Sequence, residues 1–366
     1  MSDVLYSPLH TEHEALGASF TAFGAWQMPL KYGSELAEHK AVRENVGLFD
    51  LSHMGEIRVT GAQAGEFLDY ALISQLSTIA VGKAKYTMIV QPDGGIIDDL
   101  IVYRLDDAEF LVVPNAGNAD VVWDELSARA AGFDVSLANE SRTTALVAVQ
   151  GPRAEELLTG IAEDAAAVRE LKYYATVPAK IAGFDVLLAR TGYTGEDGFE
   201  LFLPNEQAST LWEALVAAGK PFEMLPCGLA ARDSLRLEAG MPLYGNELNR
   251  TLTPADAGLG VLVSKKKEGD FLAKDALLGA EAPKRKLIGL QGEGRRAARA
   301  HSMILSPEGA EIGEVTSGQL SPTLGYPVAM AYLDVDFAEE GRELDVDIRG
   351  KKHTYRVVKL PFYKRG

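Results

Sequence analysis

The stretch GGIIDDLIVYR, Gly94 to Arg104, reads as a buried β-strand with two aspartates in its middle. A strand has period two. Ile97, Asp99, Ile101 and Tyr103 therefore share one face, and Ile96, Asp98, Leu100 and Val102 share the other. Whichever face meets the core, a carboxylate goes with it. An unpaired buried carboxylate is costly, and it would sooner shift its pKa and neutralise. One reading makes an aspartate a hairpin cap or the partner of an arginine at the sheet edge. The other makes it a positioned acid in a cleft.

The neighbouring residues set this strand in a sheet. AKYTMIV and the turn QPDGG precede it, so it is the second arm of a hairpin, and EFLVVPN supplies a third strand. Upstream, GEIRVTG (Gly55–Gly61) alternates like a strand, and YGSELAEHKAVRENVG predicts a helix from near Ser34 to Gly47. Downstream, GNADVVWDELSARAAG places Val122, Leu126 and Ala130 on one helical stripe. The style then repeats. TALVAVQG is a strand, and Pro152 is placed to start the helix PRAEELLTGIA. KIAGFDVLLARTG is strand-rich. Pro204 opens the helix PNEQASTLWEALVAAG, and a last helix runs from Gly228 to Gly240. After about Ala282 the texture changes to short strands between Gly and Pro turns, which predicts a small β-barrel joined by the linker Gly279–Lys286. The fold class is α+β.

Composition bounds the function. The chain has 366 residues, 47% hydrophobic and 24% charged, ordinary values for a soluble globular protein of two or three domains. Its 36 basic and 52 acidic residues give a net charge of −16, which argues against a general nucleic-acid or anionic-membrane surface and leaves a local basic pocket open. Cys227 is the one cysteine. It allows no internal disulfide, metal-type Cys/His spacing is lacking, and a lone thiol fits a reducing compartment. The opening MSDVLYSPLHTEHEALG has no long apolar run, and no window approaches the roughly 20 apolar residues of a membrane span. The expected location is the cytoplasm. A Ser/His/Asp order, a nucleophile elbow and a dinucleotide fingerprint are all missing.

Other stretches offer chemistry. RTGYTGEDGFEL (Arg190–Leu201) has three glycines and two threonines around Tyr193, then Glu196, Asp197 and Glu200. Glycines let backbone approach a ligand closely. A carboxylate here, Glu200 or Glu196, can accept two parallel hydrogen bonds from an N–H/NH2 edge such as that of a pterin or guanine. Acids would repel phosphate, so this is no phosphate loop. In ARDSLRLEAGMPLYGNEL (Ala231–Leu248), Arg232, Leu235, Arg236 and Ala239 share a helical stripe. Two arginines beside core residues imply buried carboxylate partners, with Asp98, Asp233 and Glu238 as candidates, or a ligand. His53 in LSHMGE reads first as structural. EVTSGQLSPTLG (Glu314–Gly325) reads as a polar, turn-rich loop, and GEGRRAARA (Gly292–Ala300) as a solvated basic patch whose Arg296 or Arg299 can receive an anionic tail. The residues by themselves support an acid-lined small-molecule pocket beside a β domain.

Taken in order, these stretches resemble the aminomethyltransferase (T-protein) family of the glycine cleavage system. The resemblance runs nearly end to end and includes FGAWQMPLKY (Phe23–Tyr32), VGLFDLSHMGE (Val46–Glu56), GGIIDDLIVYR, VPNAGN (Val113–Asn118), LVAVQGP (Leu146–Pro152), RTGYTGEDGFEL, GLAARDSLRLEAGMPLYGNEL and EVTSGQLSPTLG. It implies a three-domain cloverleaf: two interleaved mixed α/β lobes, one over residues 52–140 and the other over 1–51 plus 141–282, and a C-terminal β-barrel over 283–366. Folate lies in a central channel. It also implies the reaction. An aminomethyl group carried on the lipoyl arm of an H-protein yields its methylene unit to tetrahydrofolate, giving ammonia and 5,10-methylenetetrahydrofolate, with no metal.

The resemblance carries over residue by residue. Asp99 matches the essential aspartate, and Glu200 the acid that holds the pterin edge. Tyr86, Tyr103, Tyr173 and Tyr193 match pocket aromatics, Asn115 a polar pocket residue, and Arg232 a ligand-binding arginine; Met54 lines the pocket. The terminal LPFYKRG departs from relatives, leaving Lys364 and Arg365 both open as contacts of the folate tail. Arg295, Arg296 and Arg299 are candidates for a rim facing an acidic H-protein. A monomer is expected. Two alternatives stand beside this reading. One is another folate-dependent one-carbon transferase, such as a sulfoniopropionate demethylase. The other is a folate-binding iron–sulfur assembly factor, whose Lys-Gly-Cys-Tyr-type motif is here replaced by AGMPLYG (Ala239–Gly245).

Overall fold

The computed structural model describes residues 4–267 and 269–366; residues 1–3, where the expected N-terminal lobe begins, and residue 268 lie outside the described residues. The chain divides into two compact units. One comprises the residues up to Thr87 together with Leu100–Arg232. The other comprises Met88–Asp99 and Asp233–Gly366.

The first unit is built on sheets. Its six-stranded sheet runs in the order Thr176–Ile181, Phe184–Ala189, Gly198–Pro204, Thr144–Gln150, Gly47–Asp50, Leu225–Pro226. Alternation sorts its residues. Val147, Val149, Phe199, Leu201 and Leu203 point into a core closed by the helices Ala154–Ile161 and Asn205–Gly219, which bring Leu157, Leu158, Leu211, Trp212 and Leu215. Ala148, Gln150, Gly198, Glu200 and Phe202 take the opposite face. Pro152 precedes the helix cap Arg153 rather than standing at its first turn. The helix Glu35–Glu44 begins as its sequence predicts, with the Ser34 hydroxyl accepting from the Ala37 amide at 3.4 Å. A three-stranded sheet of Leu5–Tyr6, Trp26–Lys31 and Ser19–Phe23 also belongs here.

A five-stranded sheet follows the order Ala84–Val90, Ile96–Asp106, Glu109–Pro114, Ile57–Thr60, Ser136–Asn139. The hairpin expected from QPDGG is its first pair of strands. Its tip, Met88–Asp99, belongs to the second unit. Backbone bonds explain that membership: the Ile96 amide donates to Leu252 O at 3.0 Å, and the Gln91 and Arg250 side chains meet at 3.1 Å.

Residues 285–358 of the second unit form a closed six-stranded antiparallel barrel ordered Arg285–Gly292, Pro327–Asp334, Glu311–Leu320, Met303–Leu305, Glu343–Asp347, Lys352–Val358. Closure removes exposed strand edges. Leu290, Val315, Ala329, Ala331, Leu333, Val346 and Val357 fill its core. The stretch read as a polar loop is corrected here. Glu314–Leu320 is the second half of a barrel strand, and only the residues from Ser321 turn. The strand carries a bulge between Val315 and Ser317, which breaks the alternation that would have revealed it. The fold is mixed α/β with two sheet-based lobes and a C-terminal barrel, as the sequence predicts.

Arg236 is the best-partnered buried cation of this unit. Its guanidinium donates to Glu247 Oε2 at 2.9 Å, Ser317 Oγ at 2.8 Å, Asp233 Oδ1 at 2.8 Å and Met241 O at 3.2 Å. Of the expected carboxylate partners Asp233 meets it, and Glu247 was not foreseen. Both Arg236 and Glu247 are almost wholly buried, with side-chain exposures of 1% and 0%. Removing one partner strands the other charge, at a cost of roughly 3–5 kcal/mol. Arg236→Met should therefore lower unfolding stability by about that amount, and adding Glu247→Leu should recover most of it; urea denaturation of the three proteins checks both.

Candidate active site

The face opposite the six-stranded sheet's core carries a buried carboxylate. Glu200 is 9% exposed and sits across from Ala148. The Thr191 hydroxyl donates to its Oε2. The Tyr103 hydroxyl lies 2.9 Å from Thr191 Oγ1 and 3.3 Å from the same carboxylate oxygen, so one phenol proton serves both acceptors. Tyr103 comes from the five-stranded sheet and rests edge-on against Phe202 at 5.7 Å. Burial and the Glu200 charge hold its phenol protonated, well above its ordinary pKa. Burial also raises the Glu200 carboxyl, against the pull of Thr191, Arg232 and Tyr103.

Arg232 lies over the Tyr193 ring at 4.7 Å from its centroid. Burial lowers its pKa, opposed by Tyr193 and Glu200. His53, 3% exposed, packs edge-on against Phe23 at 5.4 Å. Burial and then the Arg232 charge push its pKa down to about 4, so the imidazole is neutral. Its Nδ1 is buried with no partner. Glu200, Tyr103, Tyr193 and Arg232 are thus brought together, as expected from the sequence, and His53 joins them.

The Gly-rich segment corrects one expectation. Its glycines were read as admitting a ligand. A Cβ on Gly192 would come within 2.1 Å of Gln150 Oε1, and one on Gly198 within 2.4 Å of Gln150 Nε2. These glycines admit a protein side chain. Only Gly195, with φ +81°, serves a left-handed turn. Glu196 is excluded as the ligand-facing acid, because it pairs with Arg43 Nη1 at 3.0 Å inside the fold.

The other expected residues are placed as follows. Tyr86 and Asn115 are half-buried, on the Ala84–Val90 strand and just after Glu109–Pro114. Met54 is half-buried in a turn whose amide donates to Leu51 O at 2.9 Å. Tyr173 is 49% exposed, with its ring 4.9 Å from that of Tyr174. Tyr174 holds φ at +56°, a strained value for a tyrosine. The sequence reading missed Tyr174, Thr191 and Gln150. Only Tyr174 left a signal, as half of a Tyr-Tyr pair.

In the second unit, Asp98 is fully buried and Asp99 half-buried. Both act on Tyr244, whose phenol is raised by burial, then by Asp98 and by Asp99, while Arg250 opposes them. The Tyr244 hydroxyl donates to Ile96 O at 3.1 Å. The local potential there is negative. The exposed Arg295, Arg296 and Arg299 lie just beyond the first barrel strand, and Arg299 donates to Gly318 O at 3.2 Å. Lys364 and Arg365 are exposed. Among the described residues, no group of three or more His, Cys, Asp or Glu is arranged to hold a metal ion, and no helix is long and apolar enough to cross a membrane.

Comparison with known proteins gives the family. Residues 9–267 match the GCVT N-terminal domain, and residues 285–364 match the glycine cleavage T-protein C-terminal barrel domain. The chain is 58% identical to an aminomethyltransferase of Corynebacterium aurimucosum over the full length of both. It is 55% identical to one of Streptomyces coelicolor, covering 98% of this chain and 97% of that one. The crystal structure of the glycine cleavage system aminomethyltransferase T from Bartonella henselae superposes with a TM-score of 0.92 at 39% identity, covering 99% of each chain. The chain belongs to the T-protein family of the glycine cleavage system and is a tetrahydrofolate-dependent aminomethyltransferase.

Proposed function

We propose that Glu200, Tyr103, Tyr193 and Arg232 hold the pterin end of tetrahydrofolate, and that Asp99 serves the reacting carbon. One observation carries this reading. The two protein hydroxyls that reach Glu200 both fall on Oε2, which leaves Oε1 for an N–H/NH2 edge. The raised carboxyl supports it, since a ligand's donors would relieve a desolvation that the protein leaves partly unpaid. Tyr193 and Arg232 offer a flat aromatic and a cation beside that edge. Tyr86, Asn115, Tyr173 and Met54 belong to the same reading as outer contacts of folate.

In the reaction the methylene carbon forms two bonds to folate nitrogens. It loses its bonds to the lipoyl sulfur and to the amine, which leaves as ammonia. The iminium-like transition state is cationic. Asp99 orients the amine and stabilises that charge in a poorly solvated setting. Asp98 and Asp99 both act on Tyr244, in addition to its burial, which is the larger cause of its raised phenol, and a cation near them would be favoured by the same two charges. The folate amine is already nucleophilic, so general-base action by Asp99 is secondary. The donor is the lipoyl arm of an H-protein, and Arg295 and Arg296 are the exposed cations offered to its acidic surface. The one cysteine, Cys227, is a buried free thiol, which favours a cytoplasmic, reducing setting.

Asp99→Asn should lower methylene transfer on the order of 100-fold while folate still binds, read from ammonia and methylenetetrahydrofolate formed together from aminomethyl-loaded H-protein. Parent-like turnover by that variant removes Asp99 from the reaction. Glu200→Gln should weaken tetrahydrofolate binding roughly 10- to 100-fold, the worth of a charged hydrogen bond, in a direct titration. His53 gives a pH signature. Its folded pKa of about 4 lies below the ordinary unfolded value, so the unfolded chain takes up the proton first as pH falls. The resulting stability is complete above about pH 6.5 and is lost between there and pH 4, at most about 3 kcal/mol. Urea unfolding at pH 5 and pH 7 should show this loss in the parent and a flatter limb in His53→Gln.

A further inference from the structure

The segment from Arg190 to Gly198 carries Thr191 and Tyr193 to Glu200 and Arg232, yet nothing in that role explains how it keeps its shape. Gln150 ends the Thr144–Gln150 strand, is 1% exposed, and lies directly across from Gly198. Its Nε2 donates to Thr191 O at 3.1 Å and Phe199 O at 3.5 Å, and its Oε1 accepts from Thr194 Oγ1 at 2.9 Å. A primary amide has two N–H donors and a carbonyl acceptor, so all three directions are spent on this one segment. The two flanking glycines, Gly192 and Gly198, are the positions where a Cβ would collide with that amide. The segment is therefore wrapped around Gln150. Other contacts fasten its outer turn and ends as well: Arg43 Nη1 donates to Thr194 O at 2.7 Å, and the Gly151 amide to Asp197 O at 2.8 Å.

The consequence reaches Glu200 through one residue. Thr191 is gripped at its carbonyl by Gln150 and presents its hydroxyl to Glu200 Oε2 and Tyr103. Rotating that peptide would withdraw the hydroxyl and release the carboxylate. We propose that Gln150 is a positioning residue for folate recognition: its buried amide fixes the Thr191 peptide, and through it the orientation of the Glu200 carboxylate. Gln150 touches no substrate. The inference rests on Glu200 as the pterin acid.

The test uses the full-length enzyme with tetrahydrofolate and aminomethyl-loaded H-protein. Gln150→Met keeps the length and loses all three hydrogen bonds. Its KM for tetrahydrofolate should rise about tenfold, one hydrogen bond's worth or slightly more. The KM for the H-protein donor should hold, and kcat should fall far less than KM rises. A parent-like folate KM overturns the proposal. So does a loss spread evenly over kcat and both KM values in step with the folded fraction. Gln150→Glu adds a pH readout. Its carboxylate would face two carbonyls, while its protonated form donates again and still accepts from Thr194. Its folate KM relative to the parent should recover as pH is lowered, and a flat ratio overturns the proposal. If Gln150→Met fails to fold, Thr194→Val, which removes the bond to Oε1 together with the Glu196 amide's bond to the same hydroxyl and leaves the Gln150 donors in place, must raise the folate KM several-fold, and a parent-like value counts against the proposal. Glu200→Gln runs beside them. If it leaves folate binding intact, the pterin assignment itself fails; if it weakens binding while Gln150→Met does not, only the role of Gln150 fails.

Discussion

Keeping Glu200 buried is the constraint on which the site depends. A carboxylate out of water must be compensated or it takes up a proton. Compensation comes from two hydroxyls carried by different elements, Tyr103 on a strand of the five-stranded sheet and Thr191 on the segment after Arg190. Both sheets must therefore meet at this carboxylate, and the edge-on contact of Tyr103 with Phe202 is where their side chains do so. The compensation is deliberately short of complete. The Glu200 pKa stays raised, and a ligand that donates to the open oxygen gains by finishing what folding began. A carboxylate already paired with a fixed cation, as Glu196 is with Arg43, has less affinity to offer.

Three buried arginines show the same distinction. Arg43 meets Glu196 and the Thr194 carbonyl, and Arg236 meets Glu247, Asp233 and Ser317. In each, the guanidinium fork is spent on fixed acceptors, and its energetic role is to avoid a stranded charge. Arg232 lies instead over the face of Tyr193, and its lowered pKa records a charge with too little compensation. Its charge adds to burial, the larger cause, in keeping His53 neutral. The net charge of −16 bears on none of this, because each buried group answers to its immediate neighbours.

What was legible in the sequence follows from the range of each interaction. The hairpin at QPDGG, the helix begun by Ser34 and the change to barrel strands near Ala282 are local signals of turn chemistry and periodicity, and the structure holds all three. Glu200, Asp99 and Arg232 stood out because charges among apolar residues need a reason. Gln150 did not, since a glutamine ending a strand looks solvated until the register places it against Gly198, 48 positions on. The glycines were read correctly as clearing space and wrongly as to what fills it. The second half of the barrel strand Glu311–Leu320 was read as a loop because of its bulge and its polar residues.

The two aspartates of GGIIDDLIVYR now have different tasks, set by strand alternation. Asp98 is fully buried and Asp99 half-buried, and both act on Tyr244. Neither field depends on the substrate's arrival, so the negative potential is built before any cationic transition state forms, which is when an electrostatic contribution costs no reorganisation. Such a potential strains the fold that holds it. The Met88–Asp99 tip is accordingly tied down on its own unit by the Ile96 amide on Leu252, by Gln91 on Arg250, and by the Tyr244 hydroxyl on the Ile96 carbonyl. Arg250 opposes the two aspartates at Tyr244, whose phenol is raised first by its burial. The acid that the sequence marks as an anomaly is thus kept where a water-accessible strand end would have dissipated it.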